Sequence, residues 1–126
     1  MGIFITDNDT FDINFYTGSV DGKTVCTESE EEVKEKVKDY ERHVVSFKKL
    51  NYGLQKKIQM ASLVESEGRF LFNPIKFRTE RFNMSIRKWS FKDVSGSPKP
   101  VNQQTIDSLS EDVSSFLLEA FDRRLT

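Results

Sequence analysis

Eleven of the 126 residues are phenylalanine, beside three tyrosines and one tryptophan, and rings in that number must be taken out of water. A chain this rich in large apolar side chains does not stay disordered, although 31% of charged residues would otherwise permit it. A core built around phenylalanine is the first expectation. Length bounds its extent, because 126 residues suit one ordinary domain, of a size that buries about two thirds of the unfolded chain's surface. A hydrophobic fraction of 37% and a mean hydropathy of -0.54 describe a soluble protein with a modest core. No stretch approaches the roughly 18 uninterrupted apolar residues of a membrane span.

Apolar spacing divides the chain. Phe11, Ile13 and Phe15 alternate with Asp12 and Asn14, and Gly18 and Asp21-Gly22 supply turn chemistry, so a strand or hairpin is expected there. Val45 and Phe47 repeat that period over His43 to Lys49. Between them, residues 27–40 begin with acids and end with lysines, with Val33, Val37 and Tyr40 at helical spacing, which reads as a thin helix aligned with its own dipole. From Asn51, a capping residue, the period is helical through Leu54, Ile58 and Ala61, until Gly68 punctuates the chain. Pro74 suits a first helical turn, and Ile75, Phe82, Ile86 and Trp89 then predict one continuous helix about four turns long. Residues 94–100, with Pro98 and Pro100, break the chain. A short turn of helix over Gln103 to Leu109 precedes a last helix from Ser110, with Val113, Phe116, Leu117, Ala120 and Phe121 inward.

The near-neutral total, 19 basic against 20 acidic residues, conceals two local excesses. Residues 1–32 carry eight acids against Lys23, a net -7, and residues 74–100 carry seven basic residues against Glu80 and Asp93, a net +5. Such regions either pair, within one molecule or between copies, or remain solvated faces. Cys26 is the only cysteine, which excludes an intramolecular disulfide and suits a reducing cytosol. The first seven residues lack the basic and apolar regions of a signal peptide. Gly2 with Thr6 loosely matches a myristoylation start, a match so short that chance supplies it.

Catalytic patterns are absent from the sequence. His43 and Cys26 lie in separate segments, and nothing in the spacing joins them into a dyad. The six glycines form no phosphate-binding loop, and Glu28, Glu30, Glu31 and Glu32 lack the spacing of a calcium loop, so no cofactor and no metal are expected. Between Arg69 and Lys92, aromatic and basic residues interleave, the composition that lets a protein stack bases and neutralise phosphates. Phe82, Ile86 and Trp89 share one predicted helical face, however, which favours a core with a basic surface and disfavours nucleic acid. Phe70, Phe72 and Phe77 are more hydrophobic than a loop before a helix requires, and suit a partner-binding surface.

One segment carries a recognisable pattern. It runs Ile86-Arg87-Lys88-Trp89-Ser90-Phe91-Lys92-Asp93, then Gly96-Ser97-Pro98-Lys99-Pro100-Val101, then Ile106-Asp107-Ser108-Leu109 and Val113 to Phe121. Upstream, Val44-Val45-Ser46-Phe47 leads through Asn51-Tyr52 to Leu54 and Ala61. Over roughly residues 41–122 the chain resembles the tail assembly chaperones of long-tailed bacteriophages. The resemblance implies a mostly helical, self-associating protein without enzymatic activity. In the host cytoplasm it would bind the tape measure protein and bring tail tube subunits to it.

Together these readings give an α+β class, mainly helical in the C-terminal two thirds with a small N-terminal β-hairpin or sheet. One domain is expected over residues 1–126, with residues 1–40 as a flexible acidic arm and 41–126 as the helical core. Phe82, Ile86, Trp89, Phe116 and Leu117 are assigned to the core. Phe70, Phe72, Phe77, Arg78, Arg81, Arg87 and Lys88 form the expected partner surface. The alternatives are a virion component of the tail-completion or head-tail connector kind and a small nucleic-acid-binding regulator.

Overall fold

The computed structural model describes residues 3–6 and 9–125; Gly2 of the myristoylation match lies outside them. Strand β1, Thr10–Val20, turns through Asp21 and Gly22, both at positive φ, into β2, Lys23–Thr27. Two residues of that conformation match the twist of the strands they join. Helix α1, Glu30–Lys36, starts where the Ser29 hydroxyl accepts the Glu32 N–H, with three acids in its first turn and lysines in its last. It ends sooner than the spacing of Val33, Val37 and Tyr40 predicts, because Val37 is already extended and Tyr40 opens β3, Tyr40–Lys48.

Asn51 caps α2, Tyr52–Ala61. Next come β4, Leu63–Ser66, and β5, Arg69–Phe72, then α3, Pro74–Ser85, and β6, Ile86–Trp89. Helices α4, Gln103–Asp107, and α5, Glu111–Leu125, close the chain. Four strands form an antiparallel sheet in the order β2-β1-β3-β6, and β4 and β5 form a separate two-stranded sheet.

The sheet buries one face. Ile13 and Phe15 of β1, Val45 and Phe47 of β3 and Ile86 of β6 pack against Phe82 of α3 and Leu117, Ala120 and Phe121 of α5. Phe11, Phe91, Phe116 and Trp89, half-buried, extend this cluster, and the Phe47 and Phe121 ring centres are 4.9 Å apart. Seven phenylalanines (11, 15, 47, 82, 91, 116 and 121) therefore belong to the core or its margin. On the opposite face polar groups pair across strands: Ser46 donates to Asp12, and Arg42 donates to Asn14 at 3.1 Å. Apolar on one side and polar on the other, the sheet has the patterning of a half-solvated antiparallel sheet.

A mainly helical C-terminal two thirds, carrying a small N-terminal hairpin or sheet, is not what forms. The sheet is the centre of the fold, and of the six strands among the described residues three follow Asn51. The helix expected through Trp89 ends at Ser85, and Ile86–Trp89 crosses to the sheet as β6. The helix expected over Leu54 to Ala61 does form, as α2, and it stops at Ala61, where the next residue, Ser62, is buried and its hydroxyl donates to the Ile58 carbonyl at 2.6 Å. Residues 10–40, expected within an acidic arm, supply β1, β2 and α1, and β1 lies between β2 and β3.

Candidate interaction surface

Four phenylalanines remain outside the core: Phe4, near the start of the chain, and Phe70, Phe72 and Phe77, gathered where β5 meets α3. The hairpin that holds two of them turns at Glu67 and Gly68, with φ of 52° and 76°. Glycine reaches that conformation without strain, and Glu67 adopts it in the exposed turn. Directly after β5, the Asn73 side chain accepts the N–H groups of Ile75 and Lys76, and Pro74 occupies the first helical turn, so α3 starts abruptly beside the strand.

Every residue of β5 is exposed. Phe70 is 71% exposed, Leu71 54% and Phe72 50%, and Ile75 at the start of α3 is 78% exposed. Single apolar residues on a surface are ordinary, but a contiguous group of this size marks an interaction site or an aggregation liability. Phe72 leans on Phe77 with ring centres 5.4 Å apart, which ties the hairpin to α3. Phe77 is half-buried, and the Arg81 guanidinium lies 5.2 Å from its ring centre and 5.9 Å from that of Phe121.

Charged members of the expected surface divide into two groups. Arg78 and Arg81 both donate to the Asp122 carboxylate on α5, Arg81 at 3.0 Å, so they bind α3 to α5. Arg87 and Lys88 sit exposed on β6, an edge strand of the main sheet, apart from the hairpin element. The structure thus brings Phe70, Phe72 and Phe77 together and sets Arg78 and Arg81 into the fold. It adds Val64, Leu71 and Ile75, which the sequence reading did not select. Their signal was the pair of short strands around Glu67-Gly68, weaker than the Asn-Gly or Asp-Gly that usually marks a hairpin.

His43 and Cys26 take up separate positions. The His43 Nε2 is hydrogen bonded with the Thr17 hydroxyl at 2.8 Å, its ring packs against Phe15 and Phe91, and burial holds it below its ordinary value despite Glu41 at 3.8 Å. It stands beside a cleft of about 330 Å3 whose walls include Trp89, Phe91, Leu109 and Val113. Burial and the nearby Asp112 raise the Cys26 thiol, which keeps it protonated and a poor nucleophile at neutral pH. Members of the acidic cluster are engaged within the chain: Glu28 across the fold with Arg123 and Arg124, Glu30 with Lys34 one turn on, and Glu32 with Lys36 and Thr27. Among the described residues no group of three or more His, Cys, Asp or Glu side chains is placed to hold a metal ion. No helix among them is long and apolar enough to cross a membrane.

The fold and site define an α+β domain with a one-sided antiparallel sheet and an exposed aromatic hairpin. The chain matches no family model, no curated protein and no solved structure.

Proposed function

We propose that this chain is a non-enzymatic holding factor of the phage tail assembly chaperone kind. It binds the tape measure protein and recruits tail tube subunits in the host cytoplasm, and the β4–β5 hairpin is its gripping element. The exposed cluster of Phe70, Leu71, Phe72 and Ile75 carries this reading, because aromatic side chains presented together are the usual anchors of protein interfaces. The sequence resemblance over residues 41–122 supports it. Several modest apolar contacts suit reversible holding, since each is weak and multivalency sums them.

Co-purification of the tagged chain from cells carrying its neighbouring genes, with protein and nucleic acid both assayed, tests the reading. At moderate salt the wild type should retain a long helical protein or a tube subunit, and Phe70→Ser with Phe72→Ser should reduce recovery about tenfold, the effect of a hot spot worth roughly 1.4 kcal/mol. Recovery of nucleic acid alone, weakening linearly with log salt, would overturn it.

A further inference from the structure

The hydrogen-bond phase of the hairpin fixes which way β5 presents its backbone. Ser66 and Arg69 flank a two-residue turn and form a bonded pair, so Val64 and Leu71 form the next one, and Leu63–Phe72 and Glu65–Phe70 are the non-bonded pairs. The Asn73 N–H, bonded to the Ser62 carbonyl at 2.9 Å, continues that alternation one step further. The N–H and C=O groups of Phe70 and Phe72 therefore point away from β4, along the free edge of a sheet that has two strands among the described residues.

We propose that this edge is the seat of a homodimer, in which β5 pairs antiparallel with β5 of a second copy about a two-fold axis at Leu71. In that register Phe70 opposes Phe72 of the second copy, and the outward groups of both residues close four backbone hydrogen bonds. Residues two apart share a face, so four phenylalanine rings gather on one side, and Leu71 meets its own equivalent on the other. The register also separates charge. Arg69 falls opposite Asn73 of the second copy, and the two arginines end about 14 Å apart along the strands.

The exposed apolar area sets the upper limit of such a dimer. At about 150–250 Å2 for a phenylalanine, the exposed parts of Val64, Phe70, Leu71, Phe72 and Ile75 come to on the order of 500 Å2 per chain. Two copies therefore offer at most the roughly 1,000 Å2 at which specific interfaces begin, which sets the dimer at the weak end of that range. The outer edge of β4 serves less well, because it carries Glu65 where β5 carries Phe70. The product is a four-stranded sheet, β4-β5-β5-β4, with an aromatic face at its centre. This rests on the reading of the hairpin as the binding element.

Sedimentation equilibrium of the full chain up to about 1 mM, the weak end of measurable affinity, tests it. The wild-type mass should rise from 14.6 kDa towards twice that value. Leu71→Glu sets like charges opposite one another, and should weaken association at least tenfold without lowering the thermal midpoint. Mixing Leu71→Glu with Leu71→Lys should restore it. Should Leu71→Glu fail to fold, Phe70→Pro, which removes one outward N–H, takes its place. A wild type of 14.6 kDa throughout, or a dimer indifferent to these changes, would overturn the proposal. A monomer that still captures a helical partner through Phe70 overturns the dimer and leaves the holding role standing; a dimer that captures nothing does the reverse.

Discussion

Asp122 holds two guanidinium groups with one carboxylate. Arg78 and Arg81, three apart on α3, converge on it from one side of the helix, and Arg81 also lies against Phe77 and Phe121. Its Nε atom is buried without a hydrogen-bond partner among the described residues, so the bond from its Nη2 to Asp122 carries more weight than a surface pair would. Asp122→Ala leaves that partly buried cation uncompensated. Charged hydrogen bonds of this kind are worth about 1.5–3 kcal/mol, and with all three side chains in part solvated the loss should be about 2 kcal/mol, read from urea unfolding. An unchanged midpoint would show the bridge to be energetically idle. Reversing the charge of Arg81 accordingly perturbs the fold before it perturbs any partner. The sequence could place both arginines on one helical face, but not the carboxylate that claims them, 44 residues after Arg78 and 41 after Arg81.

At the scale of elements, the β6 assignment shows what periodicity can hide. Ile86 and Trp89 both turn toward the core although they are three apart, because the pairing shifts between Ser46 and Phe47: Phe47 faces Ile86, Ser46 faces Lys88 and Val45 faces Trp89. The extra residue, Arg87, is a β-bulge, and it lengthens the inward spacing from two to three. Three happens to be a helical interval, so Phe82, Ile86 and Trp89 imitate one amphipathic helix. The alternation of Phe11, Ile13 and Phe15 has no such interruption, and there strand and core face were legible. The same held for Phe82, Ile86 and Leu117 as core residues, whose burial depends on hydrophobicity more than on element type. What no period reports is the approach of one element to another. A methyl group on Gly18 of β1 would stand 2.6 Å from Cγ2 of Val37, the buried residue that ends α1. Overpacking of this kind costs about 1–3 kcal/mol. Gly18→Ala should lose stability in that range, and in a Val37→Ala background, which removes both γ-methyl contacts and leaves Cβ at 3.2 Å, the same change should cost distinctly less. Equal costs in both backgrounds would place the strain elsewhere.

For the molecule as a whole, stability should be unevenly distributed. The main sheet is clamped by α3 and α5, and Glu28, just past β2, holds Arg123 and Arg124 near the end of α5, so the sheet and its covering helices should open as one unit. The hairpin stands apart: two four-residue strands, exposed in β5 along their whole length, anchored by Ser62, Asn73 and the Phe72–Phe77 contact. Two strands alone are marginally stable in water. In a dilute solution the Leu71 amide, bonded to β4, should therefore exchange with solvent well before the bonded amides of β1 and β3, and at a rate little affected by low denaturant. Those of β1 and β3 should follow global unfolding. Equal rates would make the hairpin part of the cooperative core and remove the ground for treating it as an independent grip. Raising the protein concentration extends the measurement, because the outward amides of Phe70 and Phe72 point away from β4, have no backbone hydrogen bond among the described residues and gain one in the β5-paired dimer. Their exchange should slow with concentration while that of the β1 and β3 amides stays constant, which separates pairing at this edge from any general tightening of the fold.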